Sequence, residues 1–162
     1  MKKMVVNSPG GPEALTIEHF ELPKLFPGWV TVKTTAIPIN REDLLQRAGL
    51  LQNQVYPCTP GYEFCGEIIE VSEDISQRFV REKVYFWGNN IKLEPFEGAY
   101  SSYIQAPLDN LICLPFEVDL LKLASFGSAG IMAFDALQSY RKTEQKILVT
   151  GASGGLGSIL LI

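Results

Sequence analysis

Glycines at 151, 154, 155 and 157 crowd the segment Thr150-Gly151-Ala152-Ser153-Gly154-Gly155-Leu156-Gly157-Ser158, and their placement points to anion binding. Without Cβ atoms the backbone approaches an anion closely, and N–H groups at a helix start, with the positive end of the helix dipole, stabilise a pyrophosphate. The flanks agree. Ile147-Leu148-Val149-Thr150 is a continuous apolar run with charge before it and glycine after it, the pattern of a buried parallel strand. Ser158-Ile159-Leu160-Leu161-Ile162 then opens an apolar helix. The literal spacing is G-x-x-G-x-x-G, with Ala152 standing where the first glycine of G-x-G-x-x-G would fall. Ala152, Ser153, Gly154, Gly155, Leu156 and Gly157 are therefore candidate pyrophosphate contacts. A tight strand-to-helix connection that holds no ligand is the competing reading.

A second punctuated segment is Asn40-Arg41-Glu42-Asp43-Leu44-Leu45-Gln46-Arg47-Ala48-Gly49. It opens on an N-cap residue, places two acids in the first turn, ends on a cation and stops at glycine, so a short helix is expected. Asp43 is placed to hydrogen-bond back to the helix start or to orient a neighbour. Cys58, Cys65 and Cys113 form no CxxC pair and leave one thiol over in any pairing, which suits free, buried thiols in a reducing cytoplasm. His19 is the single histidine and lies on an alternating segment, where a surface position is expected.

Composition bounds the partners. With 46% hydrophobic and 20% charged residues the chain reads as globular, and its length allows one full domain and a remnant. A net charge of -4 offers no basic footprint for nucleic acid or an anionic membrane surface, which leaves a small-molecule partner. The N-terminus breaks into Asn7-Ser8-Pro9-Gly10 before any apolar run of signal-peptide length. The most apolar later stretch, 123–134, falls short of the roughly 20 residues a membrane span needs and is expected to be a core helix.

The elements that must position these groups are mainly β. Residues 16–20, 30–34, 66–71, 83–87, 100–105 and 110–114 alternate polar and apolar side chains between Gly and Pro breaks, the pattern of half-buried antiparallel strands. Many short strands imply a closed or partly open barrel. Beyond Pro115 the texture becomes helical up to about Tyr140, with a break or close contact expected near Gly127 and Gly130.

Four segments carry a resemblance: Gly10-Gly11-Pro12-Glu13-Ala14-Leu15, the 40–49 helix, Pro60-Gly61-Tyr62-Glu63-Phe64-Cys65-Gly66, and Val149-Thr150-Gly151-Ala152-Ser153-Gly154-Gly155-Leu156-Gly157. In this order they make the chain similar to the zinc-independent quinone oxidoreductase, zeta-crystallin-like branch of the medium-chain dehydrogenase/reductases. The resemblance implies a GroES-like, partly open β-barrel catalytic domain over residues 1–117. It also implies that residues 118–162 are the first helix, strand and glycine turn of a truncated Rossmann domain. The activity it implies is hydride transfer from NADPH to a quinone or activated alkene. The cysteine pattern makes a cytoplasmic protein the expectation, and the uncovered strand 147–150 and apolar end 159–162 make it a homo-oligomer. NADH stays open, because the ribose-reading second strand lies outside this sequence. The 162-residue chain alone is expected to be inactive. An enoyl-thioester reductase and a non-catalytic GroES-like binding or assembly module are the alternatives.

Residue by residue, the resemblance places Asn40 at the nicotinamide side of the cleft, beside its plain role as an N-cap. Met132 stands where a threonine near the nicotinamide is common, a departure that puts one cofactor contact in doubt. Tyr56 and Tyr62 are the phenols nearest the implied cleft; with an ordinary pKa near 10, Tyr56 is a candidate proton donor to a reduced quinone oxygen or enolate, with water as the other source. Arg47 reads as a helix-end cation or as part of the substrate entrance, and Glu63 as a buried structural acid. Zinc-dependent relatives carry His before the Glu of the Gly-x-Glu motif, whereas this chain has Tyr62, so no metal is expected. Arg81-Glu82-Lys83-Val84 replaces the usual Gly-Asp-Arg-Val turn.

Overall fold

The computed structural model describes residues 1–88, 98–138 and 146–161. The chain divides into two compact units, Met1–Ala124 and Ser125–Ile162. In the first, β1 (Lys2–Val6) and β2 (Leu15–His19) form an antiparallel hairpin. A five-stranded antiparallel sheet follows, built from β3 (Trp29–Ala36), β4 (Glu63–Val71), β5 (Lys83–Trp87), β6 (Tyr103–Pro107) and β7 (Ile112–Leu114) in the order β6-β3-β4-β5-β7. The described strands do not close into a barrel, since β6 and β7 end the sheet on opposite sides. The hairpin is tied on by isolated bridges, Lys3 to Ser101 and Val6 to Cys58.

Alternation decides which face is buried. Val30 and Val32 of β3, Phe64 and Ile68 of β4, Val84 and Phe86 of β5 and Ile104 of β6 meet in one core. Phe64 and Phe86 are register partners, and their rings stack at 5.5 Å. At the start of β4 both faces are covered: Phe64 joins the core, while Cys65 packs with Tyr85 and Leu120. Glu63 leads this doubly covered stretch and is fully buried.

Helix α1 (Arg41–Ala48) follows β3, whose pairing with β4 shifts register between Thr34 and Ala36 at the end of the strand. Gly49 ends it at φ 74°, where a Cβ would also sit 2.7 Å from Pro9, so glycine is required there on both counts. His19 is exposed at the end of β2, as expected. Strand β1 was not legible from alternation, because its outer residues are lysines and its inner ones a short run.

The later part differs from expectation in two ways. Helix α2 (Leu120–Gln138) breaks at Gly127 (φ 45°, ψ −145°), as the glycines implied, and it is a core helix only in part: Leu120 joins the cluster of Cys65 and Tyr85 and Ala133 is buried, whereas most of its large apolar side chains are not. Leu121, Phe126, Ile131 and Met132 are exposed. By length and composition alone the helix is long and apolar enough to cross a membrane. The expected stretch to Tyr140 runs into residues outside the described ones. Residues 147–150 are not a strand: Leu148 is 88% exposed. A parallel strand exists only when neighbours supply its ladder, and among the described residues none does.

Phe64→Ala should cost about 3–5 kcal/mol of stability by leaving a cavity against Phe86, as measured by urea denaturation of the protein.

Candidate active site

Asn40 sits where β3 hands over to α1, and two buried carboxylates converge on it. Asp43, 2% exposed, reaches back to accept the Asn40 main-chain N–H at 2.8 Å, the acidic half of a capping box. The Asn40 side chain donates from Nδ2 to Glu63 Oε2, also at 2.8 Å. Each acid is in turn held by a phenol. Tyr85 donates to Glu63 Oε1 at 2.7 Å, and Tyr100 donates to Asp43 Oδ2 at 3.1 Å. Among the described residues Asp43 Oδ1 is buried without a hydrogen-bond partner.

Magnitudes show that this is more than a helix cap. An Asn N-cap contributes about 1 kcal/mol. Taking a carboxylate out of water costs several kcal/mol and is offset only by well-placed donors. Burial is the main cause that raises the Asp43 carboxyl above its usual 3.8, with the Asn40 and Tyr100 hydrogen bonds pulling the other way. Burial, followed by the bond to Glu63 and its charge, drives the Tyr85 phenol far above 10. Burial and Asp43 do the same to Tyr100. Both phenols therefore stay donors across the physiological range.

Tyr56 lies elsewhere in the same unit. Its O–H donates to the Gln46 main-chain carbonyl, and burial raises its pKa. As a proton donor to substrate it would have to give up that bond. Tyr62 is half-buried, with its phenol raised by burial and then by Asp43. Arg47 donates from Nε to the Gly10 carbonyl at 3.3 Å, anchoring the helix end to the 9–11 loop. Cys65 is buried, its thiol donates to the Leu120 carbonyl at 3.2 Å, and burial pushes it up to about 11, so it is an inert structural thiol. Among the described residues no three His, Cys, Asp or Glu side chains gather as a metal group.

The second unit holds the other candidates. Met132 is 52% exposed on α2. Helix α3 (Gly155–Ile159) starts at its N-cap Gly154, and Gly154 N–H donates to the Gly151 carbonyl at 3.0 Å. The glycines have different reasons to be there. A Cβ on Gly157 would lie 2.2 Å from the Gly151 oxygen, so Gly157 lets the helix pack on its own turn. Among the described residues there is nothing within 4 Å of a Cβ on Gly155, and one on Gly154 meets the Gly151 oxygen at 3.4 Å. Ser153, Gly154, Gly155 and Leu156 are exposed.

Asn40, Asp43 and Glu63 were visible in the sequence as an N-cap, a capping acid and a buried acid. Tyr85 and Tyr100 were not. Tyr85 had a weak signal, because strand alternation puts it on the face opposite Val84 and Phe86.

An antiparallel sheet domain with a capped helix, followed by an apolar helix and a glycine turn, defines a GroES-like domain with part of a Rossmann portion. The chain belongs to the alcohol dehydrogenase GroES-like domain family, which matches residues 26–116, and with it to the medium-chain dehydrogenase/reductases. It is 29% identical to a 2-haloacrylate reductase from Burkholderia sp, over 97% of this chain and 47% of that protein. Its fold superposes on the quinone oxidoreductase of Pseudomonas syringae pv. Tomato with a TM-score of 0.81 and 28% identity, covering 98% of this chain and 48% of that one. A mycobacterial protein solved in complex with NADPH gives a TM-score of 0.78 at 26% identity, over 99% and 48%. The chain thus spans about half the length of the relatives it matches.

The raised Asp43 pKa makes a pH prediction. A carboxyl with a higher pKa folded than unfolded contributes stability that is full below its ordinary value and lost as pH rises through its folded value. The stability of the wild type relative to Asp43→Asn should therefore fall as pH climbs above 3.8. Urea midpoints of both proteins across this range check it, and a difference that grows with pH would contradict it.

Proposed function

We propose that the protein carrying this chain is an NADPH-dependent reductase of a quinone or activated alkene. The reading is carried by the nearly end-to-end similarity to a 2-haloacrylate reductase and to a quinone oxidoreductase. The residues present fit the cofactor. Among the described residues nothing crowds Gly155 and only the Gly151 oxygen, at 3.4 Å, approaches Gly154, so the turn leaves room for an anion to approach the main chain. Bound NADPH supplies the hydride.

The chain's own residues bind and orient. Ala152, Ser153, Gly154, Gly155, Leu156 and Gly157 form the pyrophosphate turn. Asn40 contacts the nicotinamide end, with Met132 as a further apolar contact. Tyr56 serves the substrate side, where the polarity of its phenol and not its acidity is the asset. The protein works as a homo-oligomer in the cytoplasm, and the exposed apolar side of α2 is the surface that needs cover.

Assay of the full-length protein with quinones, 2-haloacrylates and enoyl thioesters, each with NADPH and NADH, tests this directly. NADPH oxidation with a quinone or alkene is expected; activity on none of them sinks the reading. Gly154→Val should weaken NADPH binding at least about tenfold, roughly 1.4 kcal/mol. Unchanged binding by the folded variant would reduce the turn to a connection.

Metal-free catalysis is part of the proposal, because Tyr62 precedes Glu63 and the Glu63 carboxylate already receives two donors. Elemental analysis of purified active protein should return no stoichiometric zinc.

A further inference from the structure

Asn40 is held twice, and the two holds have the same construction. Its main chain is fixed by Asp43, which Tyr100 holds; its side chain is fixed by Glu63, which Tyr85 holds. Asp43 and the Asn40 side-chain oxygen complete the capping box of α1. Glu63 engages the other, NH2 end of the carboxamide, and burying a further acid for that purpose costs more than a helix cap returns.

We propose that Glu63, clamped by Tyr85, is a positioning residue that sets which end of the Asn40 carboxamide is presented to a bound ligand. The two ends of an Asn side chain are nearly identical in shape and opposite in hydrogen-bonding sense. Glu63 accepts at both oxygens, from Asn40 Nδ2 and from the Tyr85 hydroxyl. An acceptor at that place tolerates the NH2 end of Asn40 and rejects the carbonyl end. Tyr85 is 4% exposed and cannot turn to water, so it keeps Glu63 from rotating away. The network crosses β4, β5 and the start of α1, three elements whose register fixes it to the sheet.

The inference rests on the reading of Asn40 as a cofactor contact, and the experiment separates the two. In cofactor-free full-length protein with 15N-labelled asparagine, the Asn40 side-chain NH2 resonance should move when Glu63→Gln is introduced, because Gln can either accept from the NH2 end of the carboxamide or donate to its carbonyl end. In the same variant the dissociation constant for NADPH should rise roughly fivefold, and KM for NADPH should rise more than kcat falls. Tyr85→Phe, a milder change in the same clamp, should shift all three in the same direction. In an Asn40→Ala background, Glu63→Gln should change NADPH affinity less than about twofold. An unmoved NH2 resonance overturns the positioning contact whatever ligand the site takes. Equal loss of affinity in both backgrounds overturns it as well, since Glu63 would then act through the fold and not through Asn40. An Asn40→Ala protein that binds NADPH like the wild type removes the ligand role of Asn40 and the inference together, while reductase activity of the wild type stands or falls separately.

Discussion

A buried carboxylate must find its donors inside the protein, and this constraint organises the site. Glu63 is fully buried at the point where β4 is covered on both faces. Water being excluded there, its oxygens are served by Asn40 from the start of α1 and by Tyr85 from β5. Those donors arrive only if β4 and β5 pair in register, with Cys65 opposite Tyr85, and if β3 leaves the ladder at the right residue to start α1. Packing and polar satisfaction therefore depend on each other: a slip of one residue in β5 would turn Tyr85 to the other face and strand the acid.

The same logic explains why Tyr62, Tyr85 and Tyr100 are poor acids. Each is withdrawn from water and lies beside a carboxylate, so the charged form is disfavoured. Chemistry that needs a fixed neutral donor suits such a site, whereas chemistry that needs a tyrosinate does not. The protein's contribution under the proposed function is accordingly placement and polarity, with redox chemistry left to the cofactor.

Burial is less complete in the second unit. Helix α2 breaks at Gly127, and its apolar residues beyond the break are largely exposed. The 147–150 run has the composition of an interior strand without a ladder to join. Both features follow one rule: apolar pattern encodes a preference for cover, and only neighbouring chain supplies it. The glycine turn is different, because its shape comes from local geometry. Gly151 takes φ 67° and Gly157 packs on its own turn without help from a sheet.

What the sequence determined by itself was whatever local chemistry controls. The α1 helix with Asn40, Asp43 and Gly49 at its ends was legible because caps act within four residues, and most strands of the sheet because alternation records which face is buried. The turn at 151–157 was legible for the same reason, since φ and close backbone approach are local demands. Only the tertiary structure decided that Asn40 would donate to Glu63, that Tyr85 and Tyr100 would serve as clamps, and that Tyr56 would turn its hydroxyl to Gln46. It also decided that 147–150 would lack a ladder. These are contacts between residues far apart in sequence, set by strand register and by which surfaces find cover, and no single segment contains that information.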